Sequence, residues 1–217
     1  MKQSHFTLIA LFLLVLAFVI AALFHDAGEK QAQEKRAADN SAALIKDYSV
    51  KAGNPSAKVT IVEFLDPACE TCARFHPFVK QLMQQHSGKV NLVVRYLPLH
   101  QGSDQMVAML EGARKQDKFW EVLELMFETQ SQWTINHVAQ PDIFWGFIKQ
   151  AGVDTARIQQ DMDGPAIMKI IQQDLADARL LGADKTPTFF VNGKPLPSFG
   201  FEQLQTLVES EVNIHYR

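Results

Sequence analysis

The chain has 217 residues, 47% of them hydrophobic and 21% charged, and its 21 Lys and Arg against 24 Asp and Glu give a net charge of −3. That balance offers no basic stripe for nucleic acid. Two cysteines cannot build a disulfide-stapled scaffold, and their close spacing points to redox chemistry instead.

Nineteen residues from Phe6 to Phe24 contain Thr7 as their one polar side chain, enough to span about 30 Å of hydrocarbon as a helix. Lys2 precedes this run and Asp26 and Glu29 follow it, so the amino end is expected to stay in the cytoplasm while the remainder is delivered outside. Val19-Ile20-Ala21 and Ile20-Ala21-Ala22 are poor small-x-small cleavage sites, which favours residues 1–25 as an uncleaved signal-anchor in the inner (plasma) membrane. The exported part then carries 20 Lys and Arg against 24 Asp and Glu, because Lys2 is the only charge lost.

Residues 26–47 are rich in Ala, Gln, Glu and Lys, with little that is large and apolar before Leu44. They read as a polar tether, helical in part at most. As a flexible coil of about 25 residues it would separate its ends by roughly 25–30 Å. Tyr48-Ser49-Val50 reads as a short strand before the turn Gly53-Asn54-Pro55.

Val59 to Leu65 is β-branched and aromatic, the pattern of a buried strand, and Asp66-Pro67 ends it. Phe75, Phe78, Val79 and Leu82 then recur at helical spacing to about Gln85, with Pro77 expected to kink the helix. Val90 to Leu97 is a second buried strand, so strand, helix and strand form a βαβ unit. Between them stands Cys69-Glu70-Thr71-Cys72.

Thiols three positions apart share one helix face. At the first turn, unpaired N–H groups and the helix dipole favour a thiolate, the species that attacks disulfides, and the second thiol can resolve the product. A structural disulfide across two residues closes too small a loop to stabilise much. Zinc needs four ligands and no second cysteine pair exists. His76 falls four residues after Cys72, however, so a soft-metal (copper) binding or delivery module using Cys69, Cys72 and His76 stands as a second reading.

From Ser103 to Leu181 the pattern is helical, with expected helices at Asp104–Gln116, Lys118–Phe127, Asp142–Gln150 and Pro165–Leu181; no period repeats, which marks an inserted helical subdomain. Trp120, Trp133 and Trp145 read as core residues of that insertion. Thr186-Pro187 leads into Thr188-Phe189-Phe190-Val191, the hairpin turn Asn192-Gly193, and Lys194-Pro195-Leu196, an edge strand because of Pro195 and Pro197. An amphipathic helix from Phe201 to about Val212 precedes a short tail, 213–217.

Taken in order, these features resemble the thioredoxin fold, and most closely its DsbA-like thiol-disulfide oxidoreductases, an α/β fold with an inserted helical subdomain at about 103–181 of a domain at 48–212. The matches are the Cys-x-x-Cys at the start of a proline-containing helix, Glu63 six residues upstream, the Thr186-Pro187 loop, and the hairpin at 189–194. The resemblance implies that Cys69 is the nucleophile, Cys72 the resolving thiol, and Glu63 a proton carrier for Cys72. On residues alone Glu63 could equally pair with Arg95. It implies that Pro187 is cis and that Thr186 and Pro187 receive a substrate strand. No cofactor is implied; the partners would be cysteine-containing proteins and a membrane redox partner that regenerates the active state. Glu-Thr between the cysteines is neither the usual thioredoxin nor the usual DsbA dipeptide, so Glu70 and Thr71 are expected to tune the redox poise, Glu70 by repelling a Cys69 thiolate. The direction of electron flow stays open between oxidase, isomerase and reductase.

Overall fold

A computed structural model describes residues 2–217, without the side chains of residues 2–10, 24, 26 and 27. Among these residues the helices are α1 (Lys2–Asp39), α2 (Glu70–Gln85), α3 (Ser103–Arg114), α4 (Phe119–Glu128), α5 (Gln130–Trp133), α6 (Pro141–Ile148), α7 (Thr155–Met162), α8 (Pro165–Leu181) and α9 (Phe201–His215). The strands are β1 (Val50–Gly53), β2 (Val59–Leu65), β3 (Val90–Tyr96), β4 (Thr134–Ile135), β5 (Val138–Ala139), β6 (Thr188–Val191) and β7 (Lys194–Pro195).

The main sheet has the order β1-β3-β2-β6-β7. β2 and β3 are parallel, as the βαβ reading requires, whereas β1, β6 and β7 run antiparallel to their neighbours. Alternation along each strand sends Ile61, Leu65, Leu92, Val94, Phe189 and Val191 into the core shared with α2 and α9. Val62, Phe64, Val93 and Phe190 go to the opposite face, against Ala178 and Leu181 of α8. The first strand starts at Val50 rather than Tyr48, because the Tyr48 hydroxyl donates to Asp174 Oδ1 at 2.6 Å and holds that residue on the α8 side.

The insertion packs α3 against α7, where Gly112 makes room: a Cβ there would stand 3.0 Å from Ile158 Cγ2. Trp133 is fully buried, meets Phe144 edge-on at 5.7 Å, and donates its indole N–H to Met126 O. Trp120 and Trp145 are half-buried against the same core.

The polar tether expected at 26–47 takes a different form. α1 runs unbroken to Asp39, and the segment beyond it docks through Ala43 and Leu44 onto the Phe64–Phe190 face. Ala37 is fully buried there. Small side chains let the backbone approach closely, so this stretch needs no large apolar residue to pack, and its Ala, Glu, Lys and Gln favour helix. The expected membrane span at 6–24 lies within α1; the side chains of 6–10 and 24 are outside the described residues. From Leu11 onward the helix is long and apolar enough to cross a membrane by length and composition.

Candidate active site

Where β2 ends, the Asp66 carboxylate gathers the chain into a fixed turn. It accepts backbone N–H groups from Ala68 at 2.8 Å, Leu99 at 2.8 Å and His100 at 2.9 Å, and it also binds the Ser103 hydroxyl and the His100 Nδ1. Its own carbonyl accepts from Cys69 N at 3.0 Å. Gln130 of the insertion donates to Pro67 O at 2.7 Å, so the subdomain braces the same turn. In the sequence Asp66-Pro67 looks like a strand terminator and nothing more; most of the donors to Asp66 lie more than thirty residues away, and spacing cannot disclose them.

This turn delivers Cys69 to the N-cap of α2, in extended backbone (φ −79°, ψ 116°), with Cys72 in the first turn. Cys69 keeps 7% of its surface exposed and Cys72 none; both are free thiols. A hydrogen bond from the Cys72 thiol, then the Thr186 side chain and the backbone N–H groups of Cys72 and Thr71, outweigh burial and bring the Cys69 thiol down to about 5. The two N–H groups are orphan donors of the helix start, the position at which an N-cap acceptor is satisfied. Thr71 thus acts through its backbone. Glu70 is exposed, and the contributions that dominate the Cys69 environment come from these neighbours rather than from it.

Burial pushes Cys72 well above an ordinary thiol, helped by its bond to Cys69 and by the charge of Glu63. Glu63 is 1% exposed, and neither carboxyl oxygen has a hydrogen-bond partner. Desolvation first, and the Cys69 charge second, raise its carboxyl to about 8. Glu63 does not pair with Arg95. In the β2–β3 register Arg95 stands opposite Phe64, one residue along, so its side chain leaves on the other face and lies over the Phe64 ring at 5.3 Å.

Across from the thiols, the Thr186–Pro187 bond is cis, and Thr186 O lies 3.2 Å from Cys69 Sγ, which donates to it while protonated. His76 stands apart from the thiols: its Nε2 lies 4.0 Å from Glu124 Oε1 and its ring 5.2 Å from Phe127. Among the described residues no group of three His, Cys, Asp or Glu side chains is placed to hold a metal ion. The soft-metal reading therefore loses its third ligand, because on a helix anchored by Phe75 and Val79 the His76 side chain turns toward α4.

The sequence matches the Thioredoxin family over residues 45–210. The chain belongs to the thioredoxin family. A thioredoxin-like oxidoreductase from Silicibacter pomeroyi is 28% identical, with a TM-score of 0.68 over 80% of this chain and 96% of that one. Wolbachia pipientis alpha-DsbA1 (17% identity, TM-score 0.69, 82% of this chain and 99% of that one) and oxidised Bacillus subtilis BdbD (22%, 0.67, 76% and 93%) are similar in fold. Among curated proteins, the Na(+)/H(+) antiporter NhaA of Herminiimonas arsenicoxydans is 33% identical over 144 residues, which are 66% of this chain and 22% of the antiporter. This thioredoxin-family chain spans about a fifth of the length of the curated relatives it matches.

Proposed function

We propose that this protein is a thiol-disulfide oxidoreductase, anchored in the plasma membrane by residues 6–24 with its catalytic domain outside the cytoplasm, and that it exchanges disulfides with cysteine-containing proteins. The observation that carries the reading is the asymmetry of one thiol pair: Cys69 is held as a thiolate at the helix start, while Cys72 is buried as a thiol above an unpaired carboxyl.

In the reducing direction, the Cys69 thiolate attacks one sulfur of a client disulfide, forming a mixed disulfide and expelling the other sulfur as a thiolate. That step removes the charge on Cys69, the second cause of the raised Glu63 carboxyl, so Glu63 ionises more readily once the intermediate exists. Its carboxylate then takes the Cys72 proton, and the Cys72 sulfur attacks Cys69 and releases the client as a thiolate. In the oxidising direction the same steps run backward: a client thiolate attacks Cys69 of the disulfide, and Cys72 leaves as a thiolate and is protonated by Glu63. A second client thiolate then displaces the Cys69 thiolate.

Because a stabilised Cys69 thiolate favours the reduced protein, its disulfide is a good electron acceptor, and we place oxidation of client dithiols ahead of reduction. A membrane redox partner would restore the disulfide. Thr186 and Pro187 would receive the client backbone, with Thr71 tuning the poise through its backbone N–H and the exposed Glu70 at most a minor contributor.

Trapping separates the two cysteines. Cys72→Ser should accumulate mixed disulfides through Cys69, whereas Cys69→Ser should accumulate none, read on non-reducing gels after alkylation. Equal accumulation in both variants would refute the assignment.

A further inference from the structure

The exit half of α1 does more than connect two regions. A groove of about 490 Å³ opens between this helix, the Pro187 loop and the stretch joining β7 to α9. Ala32, Gln33 and Arg36 line it from α1, Pro187 lines it from the cis-proline loop, and Leu196 and Phe199 line the opposite side. The helix is fixed in this place. Ala37 is fully buried one turn beyond Gln33, and Arg36 lies over Gly182, whose missing side chain makes the approach possible: a Cβ there would stand 3.1 Å from Arg36 Nη1. Gly182 caps the carboxyl end of α8 with φ +71°, a site where a cation is favoured by the helix dipole.

Two adjacencies decide what such a groove holds. It is continuous with the sulfur chemistry, since Pro187 follows the residue whose carbonyl lies 3.2 Å from Cys69 Sγ. A polypeptide joined to Cys69 through its own cysteine therefore has neighbouring residues at the mouth of the groove. The groove is also close to the apolar part of α1, because Gln33 lies about 14 Å along the helix axis from Phe24 at 1.5 Å per residue.

Resting on the disulfide-exchange reading above, we propose that α1 forms one wall of the client site: Ala32 and Gln33 contact the extended polypeptide flanking the reactive cysteine of a client. The anchor helix is then a specificity element, and it presents clients to Cys69 near the membrane surface. Phe199, half-exposed and 5.1 Å from Phe75 of α2, supplies an apolar contact on the far side. Ala32 is exposed on the wall, so a large side chain there fills the groove without entering the core.

Full-length Ala32→Trp in detergent is the test, with two substrates run side by side: a cysteine-containing peptide and glutathione. Glutathione is small enough to reach Cys69 without lying along the groove. The expected result is a fall of about tenfold or more in kcat/KM for the peptide, with the glutathione rate and the melting temperature unchanged. A peptide rate unchanged by the Ala32→Trp substitution, or peptide and glutathione rates falling together, overturns the proposal. In a second measurement, a photoreactive benzophenone side chain replaces Ala32 in Cys72→Ser protein carrying a trapped peptide. Crosslinking to the peptide is expected, and crosslinking to none overturns the proposal independently of folding in the tryptophan variant. Absence of glutathione exchange in the unmutated protein would instead defeat the disulfide-exchange reading.

Discussion

In the oxidised protein, Glu63→Gln should remove a pH-dependent loss of stability of at most about 3 kcal/mol between pH 5 and pH 7. Glu63 is fully buried without a partner and its carboxyl is raised to about 8. Below the unfolded carboxyl value near 4.5 the group is protonated in both states and costs nothing that varies with pH. Above 4.5 the unfolded chain sheds the proton while the folded chain keeps it, so stability falls by about 1.4 kcal/mol per pH unit until the folded group ionises, which in the oxidised protein comes below 8 because desolvation alone, without the Cys69 charge, then raises it. A glutamine at this position cannot ionise, so the variant lacks this slope. The oxidised form is the one to compare, since a free Cys69 with its lowered value would contribute the opposite slope, with stability rising from about 5 upward. Urea denaturation of both proteins across this range, with dithiol excluded, measures the difference. Parallel curves would mean that Glu63 is ionised or paired in the folded protein.

The second large effect belongs to Arg95. Its fully buried guanidinium reaches Asp174 Oδ1 and Asp177 Oδ2, each at 2.6 Å, and donates to the carbonyls of Ala43 and Leu44 behind α1. Asp174 also accepts Tyr96 N at 2.7 Å, so one cation ties β3, α8 and the segment behind α1 together. Arg95→Ala leaves the buried Asp174 carboxylate without a counter-charge and Asp177 with only the partly exposed Lys46 at 3.3 Å, and should cost about 3–5 kcal/mol. Replacing Arg95, Asp174 and Asp177 together with apolar residues of similar volume should cost much less, because no charge is then left buried and unpaired. Denaturation midpoints of the two variants measure this. An Arg95→Ala loss below about 1 kcal/mol would place the pair at the level of an exposed salt bridge.

Much of the frame was legible because short-range chemistry writes it. Pro165 at the start and Gly182 after the end bracket α8 at the expected residues, and Asn192-Gly193 forms the hairpin with φ of 49° and 82°, as two-residue turns demand. The Cys69–Cys72 spacing placed both sulfurs at a helix start. Weaker signals were missed. α7 buries Ile158 alone and is announced by a single cap, Asp154 accepting Arg157 N, so it is absent from the expected helices. The β4–β5 hairpin has two-residue strands around Asn136 and His137, too short for any alternation to register. What sequence reasoning could not reach are contacts between distant residues: the donors around Asp66, and the face on which Arg95 leaves its strand. The second follows at once from the register, and register between strands about thirty residues apart is a tertiary fact.

The pH dependence of the reaction between the reduced full-length protein and a small-molecule disulfide tests the central claim most directly, since it demands both the chemistry and the thiolate. The rate should rise to half its plateau near pH 5 and stay flat through neutrality, and it should vanish in Cys69→Ser. A rise centred near the ordinary thiol value of about 8.5, or a rate that survives Cys69→Ser, would contradict the account.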